Sequence, residues 1–69
     1  MNRIGVSSSN ISSIGYDASS QTLEVEFING GIYQYFDVPE SVYNEFIKAS
    51  SHGQYLHRNI KGAYRYAKV

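Results

Sequence analysis

The chain has 69 residues, of which 42% are hydrophobic and 17% charged, with one proline; this is enough for one small core and excludes both an unstructured polymer and a large catalytic architecture. No cysteine is present, which removes disulfides, thiolate metal sites and thiol nucleophiles and fits a reducing, cytoplasmic setting. Net charge is zero but segregated: residues 1–45 carry Arg3 against six acids, a balance of minus five, and residues 46–69 carry Lys48, Arg58, Lys61, Arg65 and Lys68 with no acid.

Residues 1–10 read as a flexible serine-rich N-terminus and residues 11–69 as a single domain. The opening MNRIGVSSSNIS has no apolar run of signal-peptide length, and no stretch approaches the roughly 20 apolar residues of a membrane span. Order is expected to begin near Ile11. Ile14 and Tyr16 alternate with Ser13 and Gly15, and Asp17-Ala18-Ser19-Ser20 supplies turn chemistry. Leu23, Val25 and Phe27 then alternate with Glu24 and Glu26. This pattern predicts two antiparallel strands joined by a short turn.

Asn29-Gly30-Gly31 turns the chain back into a third strand, Ile32 to Asp37, because asparagine and glycine tolerate the positive φ of hairpin loops. Two registers compete. A two-residue Asn29-Gly30 turn pairs Phe27 with Ile32, sends Tyr33 and Tyr35 to the outer face beside Glu24 and Glu26, and points Gln34 at the core. A three-residue loop, a type I turn ending in a left-handed glycine, pairs Phe27 with Tyr33 and Val25 with Tyr35, so that Gln34 faces solvent. An unpartnered buried amide costs about 1 to 3 kcal/mol, which favours the second register. Tyr33 and Tyr35 then form a core wall with their hydroxyls outward; otherwise they are an exposed stacking platform. Phe36 is left on the outer side.

Pro39 ends the sheet and opens a helix over residues 39 to about 50, with Asp37 and Glu40 at capping-box spacing. Its apolar stripe is Val42, Phe46 and Ala49, widened by Tyr43 and Ile47. Ser51-His52-Gly53-Gln54 resembles a second capping box for a shorter helix through Tyr55, Leu56 and Ile60, although Gly53 could instead end the first helix. After Gly62, AYRYAKV alternates and reads as an edge strand protected by Arg65 and Lys68. The fold class is α+β: an antiparallel three-stranded meander followed by two helices and a short C-terminal edge strand.

The segments SSNISSIGYD, LEVEFINGGIYQYFDVP and ASSHGQYLHRNIKGAY together resemble the KTSC domain family, short bacterial domains found at the C-terminus of some lysyl-tRNA synthetases and as stand-alone proteins. The resemblance runs from about Val6 to Tyr66. Its distinctive element is Tyr33-Gln34-Tyr35, set between a glycine-rich loop and Val38-Pro39. It implies a stand-alone member, brings no catalytic residues with it, and suggests RNA binding through the association with a synthetase.

The residues themselves argue against an enzyme. His52 and His57 lie five apart, not at the i, i+4 spacing that places two imidazoles on one helical face, and no acid lies near them in sequence to orient a ring. They are expected to be exposed and idle. No serine sits in a nucleophile elbow and no phosphate loop is present. Glu24 and Glu26 share a strand face, as the solvated side of a half-buried sheet does. No metal and no cofactor are expected.

Binding chemistry is better represented. Arg58, Lys61, Arg65 and Lys68 are interleaved with Tyr55, Tyr64 and Tyr66, and single-stranded RNA or DNA is held by cations on phosphates and aromatic faces on bases. If all five C-terminal cations met phosphates, log affinity would fall with log salt at a slope near −3.5, about 0.7 per contact. The alternative is a protein-interaction or accessory domain, because seven tyrosines supply rigid interface anchors and opposite charges can pair between molecules. The expected partner is therefore single-stranded RNA or a protein, with no membrane role, for a monomer or weak homo-oligomer.

Overall fold

The alternation of Leu23, Val25 and Phe27 with Glu24 and Glu26 makes this segment the middle strand of an antiparallel five-stranded sheet, ordered β1-β2-β3-β4-β5. The computed structural model describes residues 1–69. Its strands are β1 (Arg3–Gly5), β2 (Ile11–Asp17), β3 (Thr22–Phe27), β4 (Ile32–Tyr35) and β5 (Tyr66–Lys68). Helix α1 (Glu40–Lys48), helix α2 (His52–Tyr55) and a π-helical turn at Leu56–Ile60 lie between β4 and β5. No helix is long and apolar enough to cross a membrane.

The α+β class is as expected, but the sheet has five strands where the sequence reading counted a three-stranded meander plus one edge strand. The added strand is β1, inside the segment read as a serine-rich arm, so order does not wait for Ile11. Arg3, Ile4 and Gly5 pair with Gly15, Ile14 and Ser13. All three residues of β1 are exposed, so no burial pattern marks them; the pairing comes from tertiary structure. The serines build the connection. Ser8 Oγ accepts the backbone N–H groups of Asn10 and Ile11, and Val6 N–H donates to the Ser12 carbonyl.

A bulge between Ile11 and Ser13 lets Ile11 and Ile14, three apart, both enter the core. The core lies between the inner sheet face and the helices. From the sheet come Ile11, Ile14, Leu23, Val25 and Tyr35; from beyond β4 come Val38, Phe46, Leu56 and Ile60. Tyr16 stacks on Tyr43 of α1, with ring centroids 4.9 Å apart, and donates its hydroxyl to the Val38 carbonyl. Tyr55 stacks on Phe46 at 5.6 Å.

Between β3 and β4 the faces match the preferred register, while the pairing itself is corrected. Gly30 N–H donates to the Phe27 carbonyl and Phe27 N–H to the Gly31 carbonyl, so the loop is Ile28-Asn29-Gly30, one residue earlier than expected. Gly30, at φ 99°, is the left-handed position, and Asn29 Oδ1 accepts the Gly31 N–H. Leu23 faces Tyr35 and Val25 faces Tyr33. A displacement of two positions keeps every side chain on its face.

Helix α1 lacks the expected capping box: Pro39 occupies the cap and no side chain bonds to the first turn. Asp37 adopts φ 58° and pairs with Arg65 instead. The second cap is present, with Ser51 Oγ accepting the Gln54 N–H at 3.3 Å. Gly53 belongs to α2 and passes close to Asn10, where a Cβ would stand 2.9 Å from Oδ1. Lys61 N–H closes the π turn on the Leu56 carbonyl at 2.7 Å, and Gly62, at φ 87°, releases the chain toward β5.

Candidate functional site

Strand β5 returns beside β4 so that Tyr33 faces Lys68 and Tyr35 faces Tyr66. Alternation puts all four side chains on the inner face, running from the buried Tyr35 through the half-buried Tyr33 to the exposed Tyr66 and Lys68. Phe27 meets Tyr33 edge to face, at 5.6 Å and 84°. Lys61 reaches the same place from the end of the π turn. These six residues line a groove of about 820 Å³ with Asn29 and two glycines, and no carboxylate is among its walls.

Tyr35 is 3% exposed and so belongs to the core, while Tyr33 is half-buried. The core wall and the stacking platform therefore combine in these two rings, since the wall of the core is also the floor of the groove. The Tyr35 hydroxyl bonds to no protein group, yet no buried polar side-chain atom is left without a partner; its oxygen therefore meets solvent at that floor. Burial, with the Tyr33 and Tyr66 phenols nearby, pushes its pKa above the usual tyrosine value. It stays neutral, able to donate or accept a hydrogen bond. Tyr66 is 61% exposed.

The cations expected to act together are divided. Lys61 and Lys68 share the groove with Tyr66 and take part in none of the three ion pairs. Arg65, immediately before β5, points to the other face of the sheet, donating to Asp37 Oδ2 at 2.8 Å, with its guanidinium 5.5 Å from the Phe36 ring centroid. That contact explains how an aromatic side chain rests on the outer face. Arg58 lines a separate polar depression with Ser9, Asn10, Ser51 and His57. Tyr64 packs against the core. Phe27 is the aromatic groove residue that the interleaving of tyrosines and cations does not single out, although its place in the β3 alternation gives its face.

The acids of β3 face away from the groove. Gln34 Nε2 donates to Glu24 Oε1 at 2.9 Å, and Arg3 pairs with both Glu24 and Glu26. The amide of Gln34, followed by Arg3, holds the Glu24 carboxyl below the usual range, against the opposing effect of burial. His52 sits with Nε2 3.2 Å from the Ile47 carbonyl and its ring edge-on to Phe46, a packing position; His57 is exposed. No three His, Asp or Glu side chains converge as a metal site would require.

Residues 7–64 match the model of the KTSC domain family. This chain belongs to the KTSC domain family. Its fold is that of a KTSC domain protein from Yersinia pestis known from a crystal structure, at TM-score 0.96 and 43% identity over 99% of this chain and 96% of that one. A protein of Stutzerimonas stutzeri (strain A1501) is 39% identical over 70 residues, covering 100% of this chain and 99% of its own length. A lysine–tRNA ligase of Trichormus variabilis is 44% identical over 54 residues, which are 78% of this KTSC chain and 10% of the ligase. This KTSC domain thus spans about a tenth of the length of the ligases it matches.

Proposed function

We propose that this KTSC domain is a small non-catalytic binding module that takes single-stranded RNA on the groove of Tyr33, Tyr35 and Tyr66. The observation that carries the reading is the meeting of two unpaired ammonium groups, Lys61 and Lys68, with an aromatic wall on a surface free of carboxylates. Cations release condensed counterions from phosphates, and aromatic faces stack on bases. The same lysines disfavour a cationic ligand, which an aromatic site would otherwise attract. Glu24 and Glu26 face the opposite side, so they do not repel a polyanion in the groove. Sequence similarity to a segment of lysine–tRNA ligases, proteins that act on an RNA, supports the same reading.

One observation favours a protein partner instead: Tyr66 stands exposed on an edge strand, as a rigid aromatic anchor would. Fluorescence anisotropy with short, unstructured, labelled RNAs at low salt separates the two. Lys61→Glu with Lys68→Glu should weaken binding by about a hundredfold, roughly tenfold for each lost phosphate contact with its added repulsion. Arg58→Glu, outside the groove, should change affinity by about twofold or less through long-range field alone. Affinity weaker than millimolar for the unaltered domain, or an equal loss in Arg58→Glu, would leave the protein-binding reading in possession.

A further inference from the structure

We infer that the groove seats one unstacked nucleotide, with its base on the free face of Tyr66 and its flanking phosphates on Lys61 and Lys68; this rests on the RNA reading above. A continuous strand is read by successive aromatic faces, each open to one base. This site does not offer them. Phe27 and Tyr33 are locked edge to face at 84°, and Tyr33 and Tyr35 lie against Tyr66 at 6.0 and 5.8 Å, tilted by 48° and 38°. Rings already in contact leave no slot for a base between them. Tyr35, at 3% exposed, has no surface to offer a base, whereas Tyr66 is 61% exposed.

Charge gives the same count. Arg65 is engaged with Asp37 on the other face and Arg58 lines a different depression, leaving two cations at the groove. Two lysines hold the phosphates on either side of one nucleoside. The groove volume, about 820 Å³, is that of a site for one small ligand and not a channel. At its floor the Tyr35 hydroxyl is free to meet a polar base edge. The chemical class recognised is therefore a nucleotide already out of its stack, in a loop, a bulge or at an end, because extracting one from a duplex carries an unstacking cost.

The experiment is a titration of the whole chain with oligouridylates of increasing length, from dinucleotide to nonanucleotide, at several salt concentrations, followed by a closed duplex. Affinity, corrected for the number of overlapping registers, should level off at the trinucleotide. The salt slope should lie near −1.4, about 0.7 for each of two phosphates, and not near the −3.5 of five. Tyr66→Ala should weaken binding about tenfold or more, and Tyr66→Trp, with a larger stacking face, should bind at least as tightly as tyrosine. Both variants should keep the circular dichroism spectrum of the unaltered chain. Affinity that keeps rising to the nonanucleotide, a slope near −3.5, or equal binding of the duplex overturns the single-nucleotide site while leaving RNA binding in place. Absence of binding at every length overturns both.

Discussion

Replacing Tyr35 with alanine separates a ring that builds the core from one that merely lines a surface. Tyr35 is 3% exposed and packs in the same cluster as Leu23, which it faces across the β3–β4 ladder. An aromatic side chain buries about 150 to 250 Å², which at about 25 cal/mol per Å² corresponds to roughly 4 to 6 kcal/mol of transfer. Large aromatic-to-alanine changes in cores cost about 3 to 5 kcal/mol. A chain of 69 residues holds about 3 to 10 kcal/mol in total, at roughly 0.05 to 0.15 kcal/mol per residue. Tyr35→Ala should therefore remove from about a third to all of the stability, and in urea unfolding followed by circular dichroism the midpoint should drop by about a third or more, or vanish. Tyr35→Phe is the control: the hydroxyl has no protein partner, so its removal should shift stability by about 0.5 kcal/mol or less. An unchanged midpoint in Tyr35→Ala contradicts a buried ring. A loss in Tyr35→Phe as large as that in alanine would place the stabilisation in the hydroxyl.

Other predictions address the rest of the fold. Glu24 has its folded pKa lowered from 4.5, so its contribution to stability is complete above pH 4.5 and is lost as pH falls through the lower folded value. Glu24→Gln should flatten stability against pH in that acid range, and an identical acid limb would contradict the role of Gln34 and Arg3. Tyr55, half-buried and donating to Glu45 Oε1 at 2.8 Å, has its pKa pushed up to about 12 by its partial desolvation and by that carboxylate. Its protonated form stabilises the fold below pH 10 and the contribution is lost as pH rises through about 12, so ultraviolet titration should show a last tyrosine step there that Tyr55→Phe removes. At Gly15 an added Cβ would stand 2.7 Å from the Asn2 carbonyl oxygen and 2.9 Å from Arg3 Cγ. Gly15→Ala should cost about 1 to 3 kcal/mol and speed amide exchange in residues 3–5; unchanged exchange there would count against β1.

What the sequence disclosed depended on whether the signal was local. The alternation in β3 and the amphipathic stripe of α1 are written in consecutive residues, and both elements occur. The face of Tyr33 and Tyr35 was legible through Gln34, whose amide needed a partner and has one in Glu24. The loop position was not, because Asn29-Gly30-Gly31 offers two glycines and only hydrogen bonds across the hairpin select Gly30. Strand β1 was illegible for a different reason: three exposed residues carry no pattern, and their order depends on Gly15 and Arg3 meeting Glu24. The site was half legible. Interleaved tyrosines and cations drew attention to residues 58–68, but strand geometry sends Arg65 to one face and Lys68 to the other, and the long return from β4 leaves Arg58 apart.

The most direct measurement is the backbone and lysine chemical-shift response of isotopically labelled protein to an unstructured RNA trinucleotide at low salt. The groove account predicts saturable shifts at Tyr33, Lys61, Tyr66 and Lys68, with Arg58 and the Glu24–Gln34 face silent. Shifts centred on Arg58 and Ser51, or none at all, would contradict it.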